Sequence, residues 1–220
     1  MRCIKLERVR LVTYSHAVPS PLVVGFDLDM TLIDTVPGFS ATLDALGAEL
    51  GVEFPTEQLT SNLGPPLDVM LRDYVPADQL DQVGDRFRAL YPDFAITPTP
   101  AMPGAHESLA AVRRHGGRVV IVTGKYQPNA QLHVDHLGFD VDAVEGWAWG
   151  AQKGEVLNRH GAAMYVGDHV HDVEGALAGG ITSISVLTGG CTASMLTDAG
   201  THVLLHDLTG FPSWLDAHLS

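Results

Sequence analysis

The sequence predicts an α/β fold: a doubly wound, mainly parallel Rossmann-like sheet with an inserted α-helical cap domain. Three observations predict it. Short apolar, β-branched runs recur along the chain, amphipathic segments ending in glycine separate most of them, and one stretch, 38–98, carries helical patterns alone. Strands that alternate with short helices form a mainly parallel sheet covered on both faces.

In chain order, residues 1–20 read as a tail: "MRCIKLERVR" is mildly basic and lacks the apolar stretch of a secretory signal. The first strand is expected at 22–26. Helices are expected at 39–50, 57–62, 66–74 and 79–91; Pro65 and Pro66 mark one junction, and Pro98, Pro100 and Pro103 close the segment. Then come a helix at 107–115, a strand at 118–122, a helix at 129–137, a short strand near Val144 and a helix at 155–160. The last elements are a strand at 162–166, a helix at 173–178, a strand at 182–187, a helix at 195–198 and a strand at 202–205. Gly116, Gly138, Gly161, Gly179 and Gly200 follow the helices, and glycine stops a helix because it takes a left-handed conformation cheaply. The expected division is a core of 21–37 and 99–220 with a helical cap at 38–98.

With 220 residues, 45% hydrophobic and 18% charged, the chain can bury a substantial core. A formal net charge of −13 argues against nucleic-acid binding, which needs basic patches. No apolar run is long enough to span a bilayer, so no membrane partner is expected. Cys3 and Cys191 cannot make a disulfide framework, which points to a reducing cytoplasm.

The chemistry collects after the strands. "LVVGFDLDMTLID" ends an apolar run in Asp27 and Asp29; Thr123, Gly124 and Lys125 follow the second strand; Asp168 and Asp172 follow "AMYVG"; Lys153 lies before that strand. In open parallel sheets the functional crevice lies outside the carboxyl ends of the strands. Carboxylates crowded there are costly unless offset, and oxygen-only ligands suit Mg²⁺. One carboxylate can then attack phosphorus while a second acid protonates the leaving oxygen. Thr123 with Lys125 or Lys153 can hold phosphate oxygens. His169 and His171 form an HxH pair, but no further ligand at suitable spacing completes a zinc site. Asp34 is expected to cap a helix, Arg72 to lie on the surface, and Trp147 and Trp149 to sit in the core or an interface.

"DLDMT", "VTGK", Lys153 and "GDHVHD" resemble, in order, the four motifs of the haloacid dehalogenase superfamily, and the position of the helical insertion is similar to the cap of its phosphoglycolate phosphatase-like branch. The resemblance implies that Asp27 is the nucleophile and Asp29 the general acid/base. It implies that Thr123 binds the phosphoryl group and Lys153 orients it. Asp27, Asp168 and the main-chain carbonyl of Asp29 would hold Mg²⁺, with Asp172 as a ligand or support. The expected function is Mg-dependent hydrolysis of a small phosphorylated metabolite, phosphoglycolate among the candidates, by a monomer or homodimer. A sugar-phosphate phosphomutase and a non-catalytic phospholigand-binding protein are the alternatives. Three positions depart from the family pattern: Met30 stands where glycine is usual, Gly154 follows Lys153 where proline is common, and "LTGGC" lacks an aromatic residue beside its glycines.

Overall fold

In a computed structural model, residues 21–61 and 63–220 are described. The 1–20 tail with Cys3, and Asn62 at the end of one expected helix, lie outside them. Among the described residues, six strands form one sheet: β1 (Val23–Phe26), β2 (Arg118–Val122), β3 (Ala143–Glu145), β4 (Met164–Gly167), β5 (Thr182–Val186) and β6 (Val203–Leu205). All neighbours pair in parallel, in the order β3-β2-β1-β4-β5-β6. The helices are α1 (Val36–Leu50), α2 (Thr56–Thr60), α3 (Leu67–Leu71), α4 (Leu80–Phe94), α5 (Ala105–Arg114), α6 (Gln127–Leu137), α7 (Ala151–His160), α8 (Val170–Ala178), α9 (Ala193–Asp198) and α10 (Phe211–His218). None is long and apolar enough to cross a membrane.

The central strands β1 and β4 are buried at every position because both faces are covered. Val24, Phe26, Val119 and Ile121 point to one core with α5, α6 and α10. Val23, Val120, Val122 and Tyr165 point to the other, with Leu157 of α7 and Ala176 of α8. The helices between β1 and α5 bury a third cluster of their own, in which Phe39, Leu43 and Leu46 of α1 meet Phe87, Leu90 and Tyr91 of α4.

Register places the site. Phe26 pairs with Ile121 on one side and Val166 on the other, so β1, β2 and β4 end nearly level. The chain steps outward from β1 to β3 and then returns to the other side of β1, which makes this edge a topological switch point.

Some local details differ from expectation. Gly116, Gly138 and Gly161 take the expected left-handed conformation (φ 69°, 65° and 71°), but Gly179 stays right-handed at −81° and Gly180, at 67°, makes the turn instead. Helix α1 starts at Val36, where Asp34 Oδ1 accepts the Val36 N–H at 3.1 Å. The C-terminal α10 was not among the expected elements, although Phe211, Trp214 and Leu215 recur at helical spacing. "FPSWLDAH" is short and carries proline, and it is held by tertiary burial of Phe211 and Leu215, with the Phe211 ring 5.4 Å from that of Phe26.

Candidate active site

Asp27 is the first residue beyond β1, and its N–H still bonds to Val166 O at 2.8 Å. The next turn is tight: Thr31, Leu32 and Ile33 all donate backbone N–H groups to Leu28 O. This turn sets Met30 at φ 57°, a conformation that favours glycine and explains why glycine is usual there. Two contacts hold it. Met30 N–H donates to Ile33 O at 2.9 Å, and Thr188 in "LTGGC" donates its hydroxyl to Met30 O at 2.5 Å. The Met30 side chain packs against the apolar cluster of the inserted helices.

Three carboxylates converge. One oxygen each from Asp27, Asp168 and Asp172 lies within 4.8 Å of the others, and all three residues are buried. Lys153 meets two of them, donating to Asp172 Oδ1 at 2.6 Å and Asp27 Oδ1 at 3.0 Å. It also donates to Tyr165 Oη at 3.0 Å, and the tyrosine hydroxyl in turn donates to Val122 O at 2.6 Å. Asp168 accepts the Thr31 hydroxyl at 2.8 Å. Asp172 accepts the backbone N–H groups of Asp168 and His169 at the start of α8.

Close helix packing puts Lys153 there. A Cβ at Gly154 would come within 2.5 Å of Gly175 O, and one at Gly175 within 2.8 Å of the Lys153 Cβ. The glycines let α7 and α8 approach, so Gly154 has a packing role in place of the more common proline.

Electrostatics separates the acids. Burial, with Asp172 and Asp29 nearby, pushes the Asp27 carboxyl up to about 7 despite Lys153. Burial and the charges of Asp172 and Asp27 push Asp168 well above the carboxylate range. Burial disfavours the Lys153 charge, but Asp172 and Asp27 outweigh it and hold the amine protonated. Asp29 behaves oppositely to its neighbours. Burial pushes it up, yet the Lys125 charge at 2.5 Å and the Thr35 hydroxyl at 2.6 Å bring it below the usual range.

One buried ammonium among three clustered carboxylates leaves negative charge uncompensated. These oxygen donors fit a hard divalent cation, which would reverse the upward pressure on Asp27 and Asp168. Asp27, Asp168 and Asp172 are the residues that would hold it.

A cavity of about 220 Å³ opens over these groups and is roofed by the inserted helices. Asp27, Asp29, Thr123, Gly124, Lys125, Lys153 and Asp168 line it, so most of the expected site residues share one space; Asp172 lies behind Lys153. Thr123 is buried, and its Oγ1 accepts the Lys125 N–H at 3.2 Å. Arg72 is absent from the lining and bonds to Val69 O on its own helix. Arg88 of α4 lines the cavity instead. His171 pairs with Glu174 at 2.9 Å, and His169 Nδ1 accepts the His171 N–H, so the pair is engaged at the start of α8. Trp147 is not in the core: it is 57% exposed at the cavity wall. Thr31, Thr35, Tyr165 and Arg88 escaped the sequence reading, and Trp147 was expected in the core or an interface. Thr31 alone carried a signal, as the last residue of "DLDMT".

The haloacid dehalogenase-like hydrolase family model matches residues 24–143, and a related hydrolase model matches 151–210. The tyrosine-protein kinase PtkA of Mycobacterium tuberculosis is 28% identical over 204 residues, covering 86% of this chain and 70% of that protein. A phosphoglycolate phosphatase of Aliivibrio fischeri is 26% identical over 193 residues, covering 76% and 84%. A haloacid dehalogenase-like family hydrolase from Streptococcus pneumoniae superposes with a TM-score of 0.78 at 23% identity, covering 91% of this chain and 99% of that one. With its acids at the sheet's switch point and both parts of its core matched, the chain belongs to the haloacid dehalogenase-like hydrolases.

Proposed function

We propose that the protein is a Mg²⁺-dependent phosphatase that hydrolyses a small phosphate monoester through an aspartyl-phosphate on Asp27. The observation that carries this reading is the placement of two acids at the end of β1. Asp27 faces the buried cluster with Asp168 and Asp172, while Asp29, two residues on, is held by Lys125 and Thr35.

When bound, the cation shields the phosphate's charge from the carboxylates and so permits anionic attack. Lys153 fixes Asp27 Oδ1 and leaves its other oxygen to attack phosphorus. Thr123, at the end of β2, holds a phosphoryl oxygen, and Lys153, in the first turn of α7, exchanges one of its three present bonds to hold another. Asp29, ionised beside the Lys125 ammonium, takes up a proton before passing it to the leaving oxygen, and as a carboxylate again it removes one from the water that cleaves the aspartyl-phosphate. The inserted helices exclude bulk water and, at about 220 Å³, leave room for a small ester.

The test is phosphate release from a panel of phosphoglycolate, sugar phosphates, nucleotides and aryl phosphate, with Mg²⁺ and with EDTA. Mg²⁺-dependent release, abolished by Asp27→Asn, is the expected outcome; an isomerised sugar phosphate without release would favour a mutase, and binding without turnover a phospholigand-binding protein. The similarity to PtkA supports a second reading, phosphoryl transfer involving tyrosine. Transfer of label from the γ-phosphate of ATP to tyrosine would favour it.

A further inference from the structure

We propose that the cavity wall formed by Trp147, Tyr126 and Arg88 is an aromatic subsite, so that the ester hydrolysed carries a planar aromatic ring on its alcohol side. This rests on the phosphatase reading above and adds the substrate class.

Trp147 is the central observation. It stands at φ 59°, where a bulky side chain is strained, and it is 57% exposed. Its burial in a core therefore does not explain the strain. Backbone bonds pin the turn on both sides of the indole: Trp147 N–H donates to Lys125 O and Ala148 N–H to Thr123 O, both at 3.0 Å. These are the residues of the expected phosphate-binding loop, so the ring is registered directly to that loop. Strain held in place at a site's edge is a mark of function.

The ring also has partners on two domains of the cavity. Tyr126 meets it edge-on, with centroids 5.4 Å apart. The Arg88 guanidinium, from α4 in the inserted helices, lies 5.4 Å from its centroid. Met30 and Phe87 continue the apolar lining. The lining's Lys and Arg cations already have carboxylate partners, Arg88 with Asp85 at 2.7 Å, Lys125 with Asp29 and Lys153 with Asp27 and Asp172, so what the wall beside Trp147 adds is a ring face. A cavity of about 220 Å³, below the roughly 300–1,000 Å³ of drug-sized pockets, suits a single ring rather than a larger ligand.

The test compares kcat/KM for benzyl phosphate, cyclohexylmethyl phosphate and phosphoglycolate in Mg²⁺. Benzyl and cyclohexylmethyl phosphates both release primary alcohols and differ mainly in ring planarity. Benzyl phosphate is expected to exceed its saturated counterpart by about fivefold, chiefly through KM, within the range of one aromatic contact. Trp147→Ala should bring that ratio to near one, and Trp147→Phe should keep most of it. Equal use of the two rings, a preference for phosphoglycolate, or a ratio unchanged by Trp147→Ala overturns the subsite while leaving the phosphatase reading intact. If none of the three esters releases phosphate while a sugar phosphate or nucleotide does, the aromatic subsite is overturned and the phosphatase reading stands; if no ester of the wider panel does, hydrolysis fails as a reading. Calorimetric binding of benzyl phosphate that weakens in Trp147→Ala would then still support the aromatic subsite, and no binding would overturn it as well.

Discussion

The Lys125 ammonium lies 2.5 Å from Asp29 Oδ1, and this contact sets the charge on the acid two residues beyond Asp27. Burial alone would raise Asp29; Lys125 and Thr35 reverse the sign. The same ammonium faces the Tyr91 ring at 4.8 Å, so a residue of the inserted helices closes over it.

Removing that amine should therefore raise Asp29. In Lys125→Met, the acidic limb of the kcat–pH profile is expected to move to higher pH, because water activation needs the ionised carboxylate. Activity near neutral pH should fall roughly tenfold, a part of the 10²–10⁴-fold that acid–base help supplies. An unmoved limb would show that Lys125 does not tune Asp29.

Lys153 is buried between two carboxylates, so its loss leaves charge without compensation. Lys153→Met should destabilise the fold by about 3–5 kcal/mol in denaturant titration. Adding Asp172→Asn should recover part of that loss, since the two residues are in direct contact. Purely additive effects would contradict the coupling.

Metal and pH are linked with a definite sign. Between 3.8 and about 7, folded Asp27 keeps a proton that the unfolded chain has released. The folded state binds more protons there, so this group's contribution to stability falls as pH rises through the window; raised Asp168 adds in the same direction. A divalent cation removes the penalty by favouring the ionised carboxylates. The Tm gain from Mg²⁺ over EDTA should therefore grow as pH rises through this window. His133, lowered from 6.5 to about 3 by burial and by Lys125, acts oppositely: its contribution is lost as pH falls below 6.5. That term is present with and without the cation and largely cancels in the difference. A Tm gain that is flat with pH would refute the linkage.

Gly189 supplies a steric test of the acid cluster. A Cβ there would lie 1.8 Å from Asp168 Oδ2, and Thr31 ties the other carboxylate oxygen in place. Gly189→Ala should displace Asp168, weakening Mg²⁺ affinity measured by calorimetry by roughly tenfold or more, the scale seen when groups that orient metal ligands are changed. Unchanged affinity would mean that the loop yields instead.

Much of the site was legible because its residues follow strands whose apolar runs are unmistakable. Asp27, Thr123 and Asp168 each sit just beyond such a run, and a parallel sheet brings those ends to one edge. Tyr165 was hidden because a tyrosine within "AMYVG" reads as one more core residue; its hydroxyl matters only because Lys153 approaches across α7. Trp147 was misread for a related reason. Its aromatic character suggested burial, whereas a left-handed turn sets it at the cavity wall. Helix α10 was missed although Phe211, Trp214 and Leu215 recur at helical spacing, because eight residues are too few to hold a helix without the packing on Phe26 that supplies the order.

By itself, the sequence determined the alternation of strands and helices, the inserted helical stretch and the order of the acidic, hydroxyl and amine motifs, since these depend on local periodicity and on residues adjacent in the chain. Only the tertiary structure decided which groups meet: Lys153 with Asp172, Lys125 with Asp29, Thr188 with Met30, and Arg88 with Trp147. Those pairings depend on strand register and on how closely α7 and α8 pack. Charge, burial and strain are set by three-dimensional neighbours, and most of those neighbours are far away along the chain.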